Sequence, residues 1–179
     1  MNTLSSAMKK LLFFAALLLS TATFGQRYAF VDTDFILENL PEYKEAQQEL
    51  DGLSEKWQKT IEAKYAEIDR MVKAFQAEQI LLTDDQRQQR QAEIQAKQQS
   101  AQEYQRSKFG VEGELFKKRQ ELVKPIQERV YNAIKEIAVS NSYAVIFDKA
   151  NQSNILFANP RYDKSEQVLK KLGIKSGSQ

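Results

Sequence analysis

The chain has 179 residues, with 26 Lys+Arg, 24 Asp+Glu, no His and no Cys. That length fits one domain, or one domain with an appendage. Lacking Cys and His, the chain has no disulfide, thiol nucleophile, Cys or His metal ligand, or Ser–His couple. With only 6 Gly and 3 Pro, few turns are available and the elements must be long; the composition favours a binding or assembly protein over an enzyme.

Residues 1–25 read as a secretory signal peptide. Lys9 and Lys10 open it, Leu11 to Leu19 form an apolar run, and small residues from Ser20 lead to a cut after Gly25. The run falls well short of the roughly 20 residues a membrane-crossing helix needs. No Cys follows it to carry a lipid. The mature protein is therefore expected to start at Gln26 and to be exported. Losing the two lysines leaves 24 basic against 24 acidic side chains, a net charge of zero. The charge is unevenly spread, at −4 over residues 27–59 and +4 over residues 109–179.

Arg27 to Asp32 (RYAFVD) reads as a first strand, and a short helix is expected within Asp34–Asn39. A long helix follows from Pro41 to Leu82. Its large apolar residues are Leu50, Leu53, Trp57, Ile61, Tyr65, Ile68, Val72 and Phe75, spaced at the helical period of about 3.6. At 1.5 Å per residue such a helix is about 60 Å long, so part of it must project. Thr83 and Gln86 fit a capping box, and Asp84 and Asp85 suit the positive end of a helix dipole. A second helix is predicted from Asp84 towards Val139, folding back as an antiparallel hairpin.

The stretch Asp84–Lys108 holds nine Gln and nine charged residues, with Ile94 and Tyr104 as its large apolar residues. It cannot bury a continuous seam and is expected to be a solvated helical arm. Gly110, Gly113 and Pro125 interrupt this helix and mark a joint between arm and base, with a bend at Pro125. Tyr143–Phe147 and Asn154–Ala158 read as two further strands forming a hairpin across a polar loop. A last helix follows, capped by Asp163, with Val168, Leu169 and Leu172 on its apolar face. The fold class is thus α+β, with a long coiled-coil-like hairpin projecting from a small β-rich body. Residues 26–60 and 110–179 supply the body and helix bases, and residues 61–109 the arm. So small a core calls for a partner chain. The candidate interface residues are Ala29, Val31, Tyr143, Val145, Phe147, Ile155 and Phe157.

Several segments in this order resemble the Skp/OmpH family of periplasmic chaperones: Tyr28–Asp32, the charged hairpin, Ala133–Ala138, Tyr143–Asp148, Ile155–Ala158, and Asp163 with Val168–Leu172. The resemblance covers nearly the whole mature chain. It implies a jellyfish-like homotrimer in which three hairpins hang from a β-rich trimerisation body around a cavity. It implies an ATP-independent holdase that cages unfolded outer-membrane proteins in the periplasm and prevents their aggregation, with no cofactor, no metal and no nucleic acid. Well-known members are strongly basic; the neutral mature charge here argues against lipopolysaccharide binding, and membrane contact would be peripheral at most.

Holding an unfolded barrel protein needs many weak apolar contacts on a polar wall. The candidates are Ile68, Val72, Phe75, Ile80, Leu82, Ile94 and Tyr104. The regular spacing of Ile68, Val72 and Phe75 favours packing inside the hairpin, whereas Ile94 and Tyr104 continue no regular seam and would face the cavity. A structural coiled-coil spacer or adaptor of the envelope is the competing account; it predicts an unbroken seam, which the Gln-rich stretch opposes. A nucleic-acid binder would need a basic stripe with aromatics, and residues 60–108 are charge-balanced. A carboxylate hydrolase would need a pocket around Asp84 and Asp85, which capping already explains.

Overall fold

The computed structural model describes residues 27–150 and 155–174. The expected signal peptide, and Asn154 at the head of the third expected strand, lie outside the described residues. The elements are β1 (Arg27–Val31), α1 (Thr33–Glu38), α2 (Pro41–Glu78), α3 (Asp84–Phe109), α4 (Glu114–Ser140), β2 (Tyr143–Asp148), a 3-10 turn at Pro160–Tyr162, and α5 (Ser165–Lys171). The chain is mostly helical, with a long helical hairpin and a two-stranded sheet among the described residues.

Helix α2 begins with Pro41 in its first turn, where the missing amide hydrogen costs nothing. It runs unbroken for 38 residues, about 57 Å. It stops at Glu78, short of Leu82, because the chain reverses over residues 79–83. There the Leu81 amide donates to the Glu78 carbonyl at 2.9 Å. The predicted capping box is present: the Gln86 amide donates to Thr83 Oγ1 at 3.3 Å, and the Thr83 amide to Gln86 Oε1 at 3.0 Å.

The return leg is two helices rather than one. Its break is set by the glycines. A Cβ on Gly110 would collide with the Arg106 carbonyl oxygen, and one on Gly113 would stand 2.9 Å from those of Gly110 and Lys108. Pro125, expected to interrupt the helix, lies inside α4, which continues through it. The hairpin register is fixed by the Glu67–Lys97 ion pair at 2.8 Å and by Trp57 packed edge-on against Phe109 at 6.1 Å.

The two strands pair in parallel, with Ala29 opposite Ile146 and Val31 opposite Asp148. A parallel pair cannot be joined by a tight turn; here the whole hairpin is the crossover. This replaces the expected hairpin of Tyr143–Phe147 with Asn154–Ala158. Residues 155–159 form no strand; the edge next to β1 is taken by β2, and Leu156 and Phe157 find no cover among the described residues. On its other side β1 meets the approach to α5, where the Lys164 amide donates to the Phe30 carbonyl at 2.8 Å.

The core lies at the base of the hairpin. Val31, Ile36, Leu37 and Leu40 meet Ala46 and Leu50 of α2, Val123, Ile126, Val130, Ala133 and Ile137 of α4, and Val168 and Leu169 of α5. The apolar sides of four helices thus close on one face of the sheet, so the body's interior is more helical than a β-rich body suggests.

Candidate functional site

Among the described residues, apolar side chains are uncovered at each end of the molecule. At the tip of the hairpin Ile80 and Leu81 are 88% and 84% exposed, and Leu82 is half-buried. The tight reversal pushes these side chains outward, while hydrogen bonds to its backbone hold the turn. The Leu82 carbonyl, for example, accepts from the Arg87 guanidinium at 3.3 Å. The tip is therefore an ordered aliphatic point rather than a loose loop. Leu81 was missed by periodicity, because it sits in the turn where no helical spacing applies.

The other arm candidates divide by depth. Ile68 is buried, and Val72, Phe75 and Tyr104 are half-buried. Ile94, expected to face the cavity, is 8% exposed. It packs inside the hairpin, one turn towards the tip from the Glu67–Lys97 pair, at the level that register assigns to residue 70. The seam there is completed by Ala101, fully buried on α3; a small residue closes the gap, so α3 needs no large apolar stripe. Tyr104 lies under cations, with Lys64 and Lys108 ammonium groups 5.4 and 5.3 Å from its ring centre.

At the base, the outer face of the sheet is an aromatic row. Tyr28 stacks on Tyr162 at 5.2 Å and meets Phe30 edge-on at 6.1 Å, and Phe30 packs against Phe147 at 5.7 Å. Tyr28, Val145 and Phe147 remain exposed, and no strand lies along the far edge of β2 among the described residues. Ala29 and Val31, expected to meet a partner, are buried in the chain's own core. Alternation along β1 makes Tyr28 and Phe30 the outward pair instead. Tyr143 also packs on the core, because the register slips between Arg27 and Tyr28 and breaks its alternation with Val145 and Phe147. Leu156 and Phe157 are exposed, Phe157 at 80%, and Ile155 is half-buried.

A polar clasp holds this face in place. Asp148 accepts from the Thr33 hydroxyl at 2.6 Å and the Thr33 amide at 3.1 Å. Lys149 donates to Asp163 at 2.7 Å. Asp163 accepts from the Ser165 hydroxyl and amide at 2.6 and 2.9 Å; the expected cap is displaced by one residue, since Lys164 holds the N-cap position of α5 and its side chain makes no capping bond. The buried Ser165 hydroxyl in turn accepts from the Asp32 amide at 2.8 Å. Burial pushes the Asp163 carboxyl up, but the hydrogen bonds from Lys149 and Ser165 outweigh it and hold it below its ordinary range. The same bond raises the Lys149 ammonium, against burial. A cleft of about 430 Å³ opens over Asp32, Lys149 and Asp163, yet their charges are spent on one another. Among the described residues no group of three or more carboxylates is placed to hold a metal ion. No described helix is long and apolar enough to cross a membrane.

Fold and surfaces together define an α+β protein that carries a projecting helical hairpin on a small base. Residues 27–172 match the family model described as outer membrane protein (OmpH-like), and the chain belongs to that family. Among solved structures it is similar to one described as an outer membrane chaperone (OmpH-like) from Caulobacter crescentus. The TM-score is 0.66 at 16% identity, over 88% of this chain and 91% of that one; at that identity the likeness is one of fold. No curated protein matches the chain.

Proposed function

We propose that the mature protein is an ATP-independent periplasmic holdase, in which three copies form a cavity that cages unfolded outer-membrane β-barrel proteins. Membership of the OmpH-like family supports a chaperone role, and the structural neighbour is described as an outer membrane chaperone. The observation that carries the reading is the make-up of the arm. Helix α3 buries only Ile94 and Ala101 over 26 residues, and the hairpin ends in bare Ile80 and Leu81. A spacer would carry large apolar residues along the facing sides of both its legs. A wall that must grip and release many sequences needs polar helix surface with scattered apolar points.

The chemistry is physical confinement. An unfolded barrel strand exposes apolar side chains on alternate positions and an unpaired backbone edge. Enclosure keeps two such edges apart. Each contact is weak, and many act together, so release needs no fuel. In this reading residues 61–109 are the arm, with Val72, Phe75, Ile80, Leu82 and Tyr104 as its client contacts. Residues 26–60 and 110–179 are the body, and Val145, Phe147, Ile155 and Phe157 meet the neighbouring subunits. A signal peptide cut near Gly25 delivers the chain to the periplasm.

The test is to dilute a urea-unfolded outer-membrane barrel protein into buffer with the mature protein and no nucleotide. Light scattering then follows aggregation, and the mass of the complex is measured. Suppression at about one trimer per client supports the reading. Unchanged aggregation at a tenfold excess of trimer sinks it and leaves the envelope spacer.

A further inference from the structure

Both legs of the hairpin have their weakest point at the same level. On the return side α3 and α4 are parted by Gly110–Gly113, with Glu112 in the left-handed region at φ 57°. On the outgoing side α2 passes without a break. Trp57 packs against Phe109, which sets residues 53–56 beside the break and Gly52 within a turn of it. Gly52 and Ser54 are weak helix formers, and Gly/Ser pairs are recurrent places for helices to bend. Nothing lies within 4 Å of where a Cβ on Gly52 would stand, so no close approach demands glycine there.

One side chain spans the break. Lys108, in the last turn of α3, forms an ion pair with Glu114, the first residue of α4. Its ammonium also lies 5.2 Å from the centre of the Trp57 ring on α2 and 5.3 Å from that of Tyr104 on α3. The Lys108 side chain is 15% exposed, the most covered of the ion-paired charges among the described residues. A lysine so enclosed between two aromatic faces is seated rather than solvated.

We propose that this level is an articulation between arm and base, and that Lys108 is its latch. With the ammonium seated, α2, α3 and α4 are tied at one point and the arm is held in line. With it withdrawn, α3 is joined to α4 by a link containing two glycines, and α2 alone carries the arm through Gly52. The position of Gly52 then sets how far the arm swings. The latch acts on the hairpin whatever the hairpin holds.

The chain has no Cys, so spin labels can be placed at will. Gln88→Cys near the tip and Gln167→Cys on α5 are both exposed; a doubly labelled chain is diluted among unlabelled ones, and the distance distribution is recorded. Lys108→Met is expected to broaden that distribution roughly twofold and to speed hydrogen exchange over residues 109–115 about tenfold. Adding Gly52→Ala to Lys108→Met is expected to narrow it again. Unchanged width and unchanged exchange in Lys108→Met overturn the latch, and a width that Gly52→Ala leaves alone overturns the placement of the pivot. Should Lys108→Met fail to fold, Glu114→Gln removes only the half-exposed carboxylate. The same two readings then decide, with an unaltered result again counting against the proposal.

Discussion

Lys149, one residue past β2, donates to Asp163 at 2.7 Å, and this single ion pair ties the end of the sheet to the start of α5. Asp32 joins more loosely, its carboxylate 3.7 Å from the same ammonium. Three segments far apart in the chain are thereby fixed around one lysine.

The clasp gives the fold a defined pH window. Asp163 is held below its ordinary 3.8 and Lys149 above its ordinary 10.5. A depressed carboxyl stabilises the fold above its unfolded pKa, and the contribution is lost as pH falls through the folded value. A raised ammonium stabilises below its unfolded pKa, and the contribution is lost as pH rises through the folded value. For this pair, stability is therefore level between about pH 4 and 10 and falls on both sides. Lys149→Met should lower stability at pH 7 by about 1–2 kcal/mol, since both groups are partly solvated, and should flatten the acid limb. Urea melts of parent and variant from pH 3 to 8 check this; superimposable curves mean that the clasp is idle.

The two faces of the sheet give opposite outcomes. Val31→Asp places a charge in the core beside Ile36 and Leu40, at a cost of several kcal/mol, and the chain should not fold. Phe147→Asp lies on the exposed aromatic row. The lone chain should fold as before, and only the proposed trimer should fall apart. Circular dichroism and light scattering on both variants separate the cases. A trimer that survives Phe147→Asp rules out the sheet face as the subunit contact.

The tip and the seam should also separate. Ile80→Ser with Leu81→Ser removes two solvent-exposed side chains, so stability should change by less than about 0.5 kcal/mol. Protection of an unfolded barrel protein should weaken. Ile94→Ser instead empties a seam position and should destabilise the hairpin by about 1–3 kcal/mol. Equal protection by the tip variant removes Ile80 and Leu81 from the client surface.

Gly113→Ala is expected to destabilise by about 1–3 kcal/mol, because its Cβ would collide with two backbone carbonyls that cannot yield cheaply. Gly52→Ala, in open space on α2, should stabilise by roughly 0.5–1 kcal/mol. Opposite shifts in melting temperature are the expected reading.

What the sequence made legible followed from periodicity and caps. The long helices and the reversal at Thr83–Gln86 are local facts, written in neighbouring residues. The face of β1 was not local. Ala29/Val31 and Tyr28/Phe30 are both apolar pairs at period 2, and only packing on α1 and α5 decides which turns inward. The parallel pairing was equally out of reach, since β1 and β2 lie more than a hundred residues apart. Ile94 was misplaced because its seam neighbour is Ala101, and an alanine carries no signal in a search for large apolar residues. The clasp escaped notice because Asp32, Asp148, Lys149 and Asp163 are ordinary surface residue types until the fold brings them together.

The parallel pairing has a consequence for the order of events as the chain appears from its amino terminus. β1 is the first described element to emerge, and its partner β2 comes after four helices. The hairpin closes through contacts near in sequence and can form early, whereas the sheet must wait for loop closure over the whole hairpin. Tyr28 and Phe30 stay without Phe147 and Tyr162 until nearly all of the chain is out. The aromatic face of the sheet is thus among the last parts of the molecule to exist, and in the proposed trimer a nascent chain could not join a neighbour through it before its own arm is built.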